Sequence, residues 1–324
     1  MKTPPQSTRI PSQGSVSFLT VGEAADQQRL DNFLHSRLKG APKSLIYRII
    51  RKGEVRINGK RAKAESRLNE GDQVRVPPLR LTDNSDKPVA SAELLAHLEA
   101  AVLYRDEHLL VLNKPAGLPV HAGTGMRLGV IEAMRCLLPD YPGLELVHRL
   151  DKGTSGCLLM ALTGRARKAL SAAFREQQVK KTYHLVVAGR WPRRLQRVKS
   201  ALQRQPERSG ERRVEVDAEG KPALTEFRML TSFAAATLME AKPATGRTHQ
   251  IRVHATESGH PLLGDDKYHN ATSLALSKQL GVRRLCLHAA ALQFNHPETG
   301  ATLCVKAPAD EAFKAVLARL EAGG

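Results

Sequence analysis

The stretch from residue 144 to residue 161 constrains the fold of this chain more than any other. Leu144, Leu146, Val147 and Leu150 run up to Asp151, Gly153-Thr154-Ser155-Gly156 supplies a turn, and Cys157-Leu158-Leu159-Met160-Ala161 resumes the apolar run. Two apolar runs around a Gly/Thr/Ser turn predict strand, functional turn and strand, with the acid at the end of the first strand. A carboxylate in that position meets low dielectric, which favours its protonated form unless a cation holds it ionised. Arg149 lies in the same motif. A second stretch, Gly246-Arg247-Thr248-His249-Gln250-Ile251-Arg252-Val253-His254, again sets ionisable groups where an apolar run meets a turn, and Arg252 is the other candidate cation. An acid ahead of a glycine is also ordinary turn chemistry, so Asp151 reads both as a turn cap and as a functional group.

His148-Arg149-Leu150-Asp151 with Thr154-Ser155-Gly156 resembles the signature of the RluA-type pseudouridine synthases. The likeness continues in order through Asn113-Lys114-Pro115-Ala116-Gly117 with Val120-His121, residues 246–254, Gly259-His260-Pro261 with Gly264-Asp265, and Arg284-Leu285-Cys286-Leu287-His288-Ala289 with His296-Pro297. It spans roughly residues 100–320. The resemblance implies an RNA uridine isomerase, which breaks the bond between uracil N1 and ribose, turns the base and rejoins it through C5. That reaction has no net redox change and no hydrolysis, so neither a metal nor an organic cofactor is expected.

By the same resemblance Asp151 is the catalytic carboxylate, acting as nucleophile or as base, and Arg252 is the ion-pair partner that keeps it charged. Arg149 is expected to help fill the space left by a flipped nucleotide, because a stacked uridine must leave its stack to be reached. Tyr183 carries two readings. The period of two in Thr182-Tyr183-His184-Leu185-Val186-Val187 sets Tyr183, Leu185 and Val187 on one face, which says core. The resemblance, with Lys181 two residues ahead, places the ring against uracil and Asp151, and a core-anchored ring satisfies both. Leu287 is a candidate for the apolar floor under the base and equally an ordinary strand leucine. His121 and the loop after it are candidates for substrate contact.

Fifty Lys and Arg against 32 Asp and Glu give a net charge of +18, an excess that points to a polyanionic partner and to affinity falling steeply with salt. A length of 324 residues suggests two domains. Cys136, Cys157, Cys286 and Cys304 are far apart and form no CxxC pair, as expected of buried thiols in a reduced cytoplasmic protein. The N-terminus lacks the apolar core of a signal peptide, and nowhere do about 18 apolar residues run together. A secreted or membrane-spanning protein is not expected.

Residues 1–16 are polar and read as a disordered tail. Leu30, Phe33, Leu34 and Leu38 then recur at helical spacing. Ser44 opens a second amphipathic segment with Leu45, Ile46, Ile49 and Ile50 on one face, Arg48, Arg51 and Lys52 on the other, and Gly53 at its end. Residues 54–61 alternate around Asn58-Gly59, a hairpin signal, and residues 71–76 add a strand. Two helices beside a small sheet resemble the S4 RNA-binding domain, here residues 17–79. Lys43, Arg48, Arg51, Lys52, Arg56 and Lys60 would lie against phosphate, positioning RNA without reading its sequence. Residues 80–99 read as a linker turning into a short helix. From there to residue 320, strands at 109–112 and 182–188 and helices at 130–138 and around Ala166, Leu170 and Phe174 fit an α+β catalytic domain. Its sheet should be large and mainly antiparallel, flanked by helices.

Other signals fail. Gly123-Thr124-Gly125 with Gly129 departs from GxGxxG and no Gly-Lys-Ser/Thr follows, so neither a dinucleotide fingerprint nor a P-loop is present. His249 and His254 are five apart outside any HExxH, and the side chains of vicinal Asp265 and Asp266 are expected to diverge. The basic residues 193–213 fit a hairpin reaching over RNA and a solvated loop equally. Leu38-Lys39-Gly40, Pro42-Lys43-Ser44 and Ile46-Tyr47-Arg48 are most similar to family members that modify several uridines of large-subunit (23S) ribosomal RNA near the peptidyl-transferase region. The expected partner is that RNA, free or in a ribosome assembly intermediate, met by a monomer. Enzymes acting on tRNA or another ribosomal site, and a non-catalytic RNA-binding or assembly protein, are the alternatives.

Overall fold

The computed structural model describes residues 16–22, 25–38, 41, 43–79, 90–122, 128–205 and 213–323. They divide into two compact units, one ending at Val89 and one beginning at Ala90. Residues 1–15 of the expected tail, residues 80–89 of the expected linker and the loop at 123–127 lie outside the described residues.

The first unit contains β1 (Ser17–Thr20), α1 (Leu30–Arg37), α2 (Lys43–Arg51), β2 (Arg56–Ile57), β3 (Lys60–Arg61) and β4 (Gln73–Val76). The strands form an antiparallel sheet in the order β1-β4-β2-β3. The helical spacing seen in the sequence supplies the core, where Leu30, Phe33, Leu34 and Leu38 meet Ile46, Ile49 and Ile50 and cover Leu19, Val74 and Val76. Gly53 ends α2 in the left-handed region (φ +74°), and Asn58 and Gly59, with φ of 50° and 77°, make the two-residue hairpin turn between β2 and β3. β1 has no counterpart in the sequence reading. Four residues carry too short an alternation to be seen alone, and the strand forms because β4 offers an edge in register from Ser17↔Val76 to Thr20↔Gln73.

The second unit runs α3 (Ala92–Ala100), β5 (Val102–Arg105), β6 (Leu109–Lys114), α4 (Val130–Leu137), β7 (Glu145–Leu146), β8 (Ser155–Ala161), α5 (Gly164–Arg175) and β9 (Lys180–Ala188). It continues with β10 (Arg197–Arg204), β11 (Val214–Val216), β12 (Lys221–Ser232), β13 (Ala236–Pro243), α6 (Gln250–Glu257), α7 (Ala271–Gln279), β14 (Leu287–Asn295), β15 (Thr302–Lys306) and α8 (Glu311–Ala322). Its sheet has the order β11-β10-β12-β13-β9-β14-β8-β6-β5, with β15 beside β14 and β7 beside β8. Among the described strands only β8 and β14 pair in parallel.

β8 is buried along its whole length, which is why its sequence is continuously apolar. Leu158 and Met160 face Leu98 of α3 and Val130, Ile131 and Met134 of α4, whereas Cys157, Leu159 and Ala161 face Ala166 and Leu170 of α5. The short helix placed at the end of the linker therefore belongs to this unit. Ser91 caps it by accepting from Leu94 N–H, and Leu98 is fully buried. Cys157 and Cys286 are buried as expected, but Cys136 and Cys304 are exposed, at a helix end and on an outer strand. The basic segment at 193–213 forms β10, antiparallel to β11, with residues 206–212 outside the description.

Candidate active site

The strand before Asp151 is shorter than its apolar residues imply. One edge of β8 pairs with β6 throughout. The other meets β7 at Glu145↔Ala161 and Leu146↔Met160, then β14 at His288↔Ser155 and Ala289↔Gly156. Two strands cannot share that edge between these points, so the chain leaves the sheet after Leu146. The Leu159 N–H, deprived of a strand partner, donates instead to His148 Nε2 at 2.9 Å. His148 stacks on Phe174 with ring centroids 4.5 Å apart, and burial pushes its pKa down to about 3, so the imidazole stays neutral and accepts. Gly156, at φ +107°, lets the two parallel strands meet, since a Cβ there would run into the Ala289 carbonyl.

Asp151 therefore lies in a loop, not at a strand end. Main-chain atoms close its turn, with Thr154 N–H donating to Asp151 O at 3.1 Å, which leaves the carboxylate for the cleft. Beneath the loop Lys114 is fully buried and its Nζ donates to the carbonyls of Pro115 (2.6 Å), Leu118 (2.8 Å) and Lys152 (3.3 Å). Burial lowers the Lys114 pKa to about 7, with Asp151 opposing the shift. The ammonium's three protons match the three carbonyls.

The second motif forms the turn into α6. Gln250 fixes it to β12: its Oε1 accepts from Thr245 Oγ1 (2.6 Å) and Arg247 N (3.0 Å), and its Nε2 donates to Leu224 O (2.9 Å) and Thr225 Oγ1 (3.0 Å). In the first turn of the helix, Arg252 points into the cleft wall. Its Nε and Nη2 donate to Asp265 at 2.7 and 2.6 Å, and Nη2 also reaches Asp266 Oδ1 at 3.2 Å. Nη1 is left 3.6 Å from Asp151 Oδ2. Two expectations change here. Asp265 and Asp266 converge on one guanidinium, and the tightest partner of Arg252 is Asp265, with Asp151 more loosely held. Bidentate geometry decides this, because only Asp265 meets the planar fork edge-on.

His249 precedes α6 in the left-handed region (φ 54°), its Nε2 3.8 Å from Asp151 Oδ2 and its Nδ1 2.8 Å from the Tyr268 hydroxyl. Burial lowers its pKa, with Asp151 opposing and Arg252 reinforcing the shift. The Tyr268 ring also lies 5.0 Å from the Arg252 guanidinium carbon.

A cleft of about 520 Å³ is lined by Arg149, Asp151, Tyr183, His249, Arg252 and Leu287, with Lys114, Asp265 and Tyr268 behind its wall. Tyr183 projects from β9; burial, then the charge of Asp151, push its hydroxyl pKa up, so the phenol stays protonated. Leu287, the first residue of β14, is buried against the same wall. Arg149 is exposed at the rim. His121 is exposed ahead of α4, its backbone against Gly129, and does not line the cleft.

Residues 108–257 match the RNA pseudouridylate synthase family and residues 28–74 match the S4 domain. The chain is 48% identical over 307 residues to ribosomal large subunit pseudouridine synthase C of Pasteurella multocida, covering 94% of each protein. It is 46% identical over 319 residues to the protein of that name from Escherichia coli K12, covering 97% of this chain and 98% of the relative. The chain belongs to the RNA pseudouridylate synthase family. A solved structure of human RNA pseudouridylate synthase domain containing 4 superimposes with a TM-score of 0.58 at 28% identity, over 71% of this synthase and 96% of the human chain.

In this synthase the S4 residues Arg48, Arg51, Lys52, Arg56 and Lys60 are all exposed, and Lys43 opens α2. Sequence reasoning passed over four groups at the cleft. His249 and Asp265 stand in stretches that carry the family resemblance, yet their own chemistry reads in sequence only as a rejected metal ligand and half of a rejected carboxylate pair. Lys114 stood inside a recognised motif without a role. Tyr268 carried no signal beyond its closeness to Asp265.

Proposed function

We propose that this enzyme converts uridine to pseudouridine at several positions of large-subunit ribosomal RNA near the peptidyl-transferase region, with Asp151 as the catalytic carboxylate. One observation carries the reading: an unspent carboxylate faces a cleft, 3.6 Å from a guanidinium already anchored by another acid. Relatives named as large-subunit synthases match nearly the whole length, and both the S4 unit and the net charge of +18 suit an RNA substrate.

The chemistry follows from the cleft. A flipped uridine enters with its base between Tyr183 and Leu287, while Arg149 at the rim occupies the vacated stack and holds phosphate. The Asp151 carboxylate acts at the C1′–C2′ edge of the ribose as the N1–C1′ bond breaks, with the Arg252 guanidinium beside it as counter-charge. The detached uracil turns against the two flat or apolar surfaces, C5 bonds to C1′, the C5 proton leaves and N1 gains one. Exclusion of water keeps the intermediate from hydrolysis. No step draws on a cofactor, because electrons balance within the nucleoside. Every named group comes from one chain, in keeping with a cytoplasmic monomer meeting free RNA or an assembly intermediate.

Pseudouridine mapping tests the substrate. Unmodified large-subunit ribosomal RNA incubated with the enzyme, treated with carbodiimide and read by primer extension should show new stops near the peptidyl-transferase region. Stops on tRNA alone would assign the enzyme to a different RNA.

A further inference from the structure

From the β10–β11 hairpin a directed hydrogen-bond chain runs to His249, which faces the carboxylate across a gap, and the reaction described above does not use it. Val214, the first residue of β11, turns its N–H away from β10 and donates to the Tyr268 hydroxyl oxygen at 2.8 Å. That hydroxyl is 2.8 Å from His249 Nδ1, and His249 Nε2 is 3.8 Å from Asp151 Oδ2. A neutral imidazole has a single N–H. Its Nε2 faces a carboxylate, where a lone pair would be repelled and an N–H attracted, so the proton sits on Nε2. Nδ1 then accepts, and the Tyr268 hydroxyl, whose oxygen already takes the Val214 N–H, donates to it. The hairpin grips the same turn a second time, since Arg204 at the end of β10 donates through Nη2 to Thr248 Oγ1 at 2.5 Å.

We infer that His249, its tautomer set by Tyr268, is a positioning residue that directs a neutral Nε2–H donor at Asp151 and, with Arg252, holds that carboxylate oriented in the cleft. This rests on the pseudouridine synthase reading of the cleft. The 3.8 Å gap shortens to a hydrogen bond when the nucleotide fills the site, as such contacts tighten in reactive complexes. Among the described residues, the other charged or titratable groups acting on Asp151 are Arg252 from α6, Lys114 from β6, Tyr183 from β9 and Tyr268 after α6, and His249 also meets the charges of Lys267 and Asp265. Arg252 and Lys114 favour the ionised acid, and Tyr183 stays protonated. Losing the His249 donor therefore removes one of the groups that favour the charged, substrate-directed carboxylate, and the acid limb of the rate profile is where that loss is read.

The test is the pH profile of kcat and KM for full-length His249→Ala, His249→Asn, His249→Gln and Tyr268→Phe on unmodified large-subunit RNA, with affinity measured by filter binding. His249→Ala should lower kcat on the order of ten-fold, the worth of one hydrogen bond to a charged group, with KM and affinity little changed. The acid limb of its profile should move to higher pH. Gln, whose amide N–H reaches the Nε2 position, should recover most of the loss, and Asn should not. If the left-handed backbone were the whole role of residue 249, Asn would be the better replacement, because it tolerates positive φ better than Gln does. Tyr268→Phe keeps the ring on Arg252 and removes only the hydroxyl, and should shift the acid limb in the same direction by less. Recovery by Asn over Gln, or an acid limb unmoved in both His249→Ala and Tyr268→Phe, would overturn the inference while wild-type turnover left the reading of the cleft standing. Absence of wild-type turnover on any RNA would overturn both.

Discussion

Arg252 is the residue on which the cleft's electrostatics turn, and it is fixed from behind. Asp265, with its side chain wholly buried, takes two of its N–H groups, Asp266 takes a share of one of them, and Tyr268 lies against the guanidinium. Asp265→Ala would leave a buried cation short of its main partner and should cost about 3 kcal/mol of stability. Chemical denaturation of the variant checks this, and a midpoint within experimental error of the wild type would contradict it. At this scale the sequence disclosed residue types but not partnerships. Asp151, Tyr183 and Arg252 could be singled out from motifs, yet which acid would hold Arg252 depended on how the turn after β13 met the segment around Gly264, and no local pattern encodes that.

The elements show the same division. Helices α1, α2, α4 and α5 and the Asn58-Gly59 hairpin were readable because their determinants are local: apolar spacing, a terminal glycine, two residues that tolerate positive φ. β7 is shorter than its apolar residues suggest, because its end is set by competition with β14 for one edge of β8, and β14 lies about 140 residues further along. His148 is the patch over that competition. Its pKa, 6.5 when free, falls to about 3 in the fold, so between these values the unfolded chain takes up a proton that the folded one refuses. Stability from this group is intact above about pH 6.5 and declines as pH falls toward 3. In His148→Gln, which accepts from Leu159 N–H without titrating, the acid-side decline should be shallower. Urea midpoints measured across that range check it, and parallel curves for the two proteins would contradict it.

For the whole molecule, the excess of basic residues and the S4 unit suit an RNA substrate. The fold class could be read from the chain because alternating apolar runs and turns past residue 100 demand a large sheet. The unit boundary was harder to place, because the helix Ala92–Ala100 reveals its allegiance only through what Leu98 packs against. Removing residues 1–89 should weaken binding to structured ribosomal RNA more than it slows turnover at saturation, and should flatten the salt dependence of binding as phosphate contacts are lost. Filter-binding titrations at several salt concentrations check this; unchanged affinity would remove the RNA-holding role from the S4 unit. The central claim, that Asp151 drives uridine isomerisation, is met most directly by tritium release from 5-tritiated uridine in unmodified large-subunit ribosomal RNA, because forming the C5 glycosidic bond must expel that hydrogen. The account predicts release by the wild type and none above background by Asp151→Ala, with RNA affinity retained. Release by Asp151→Ala at a rate comparable to the wild type would contradict it.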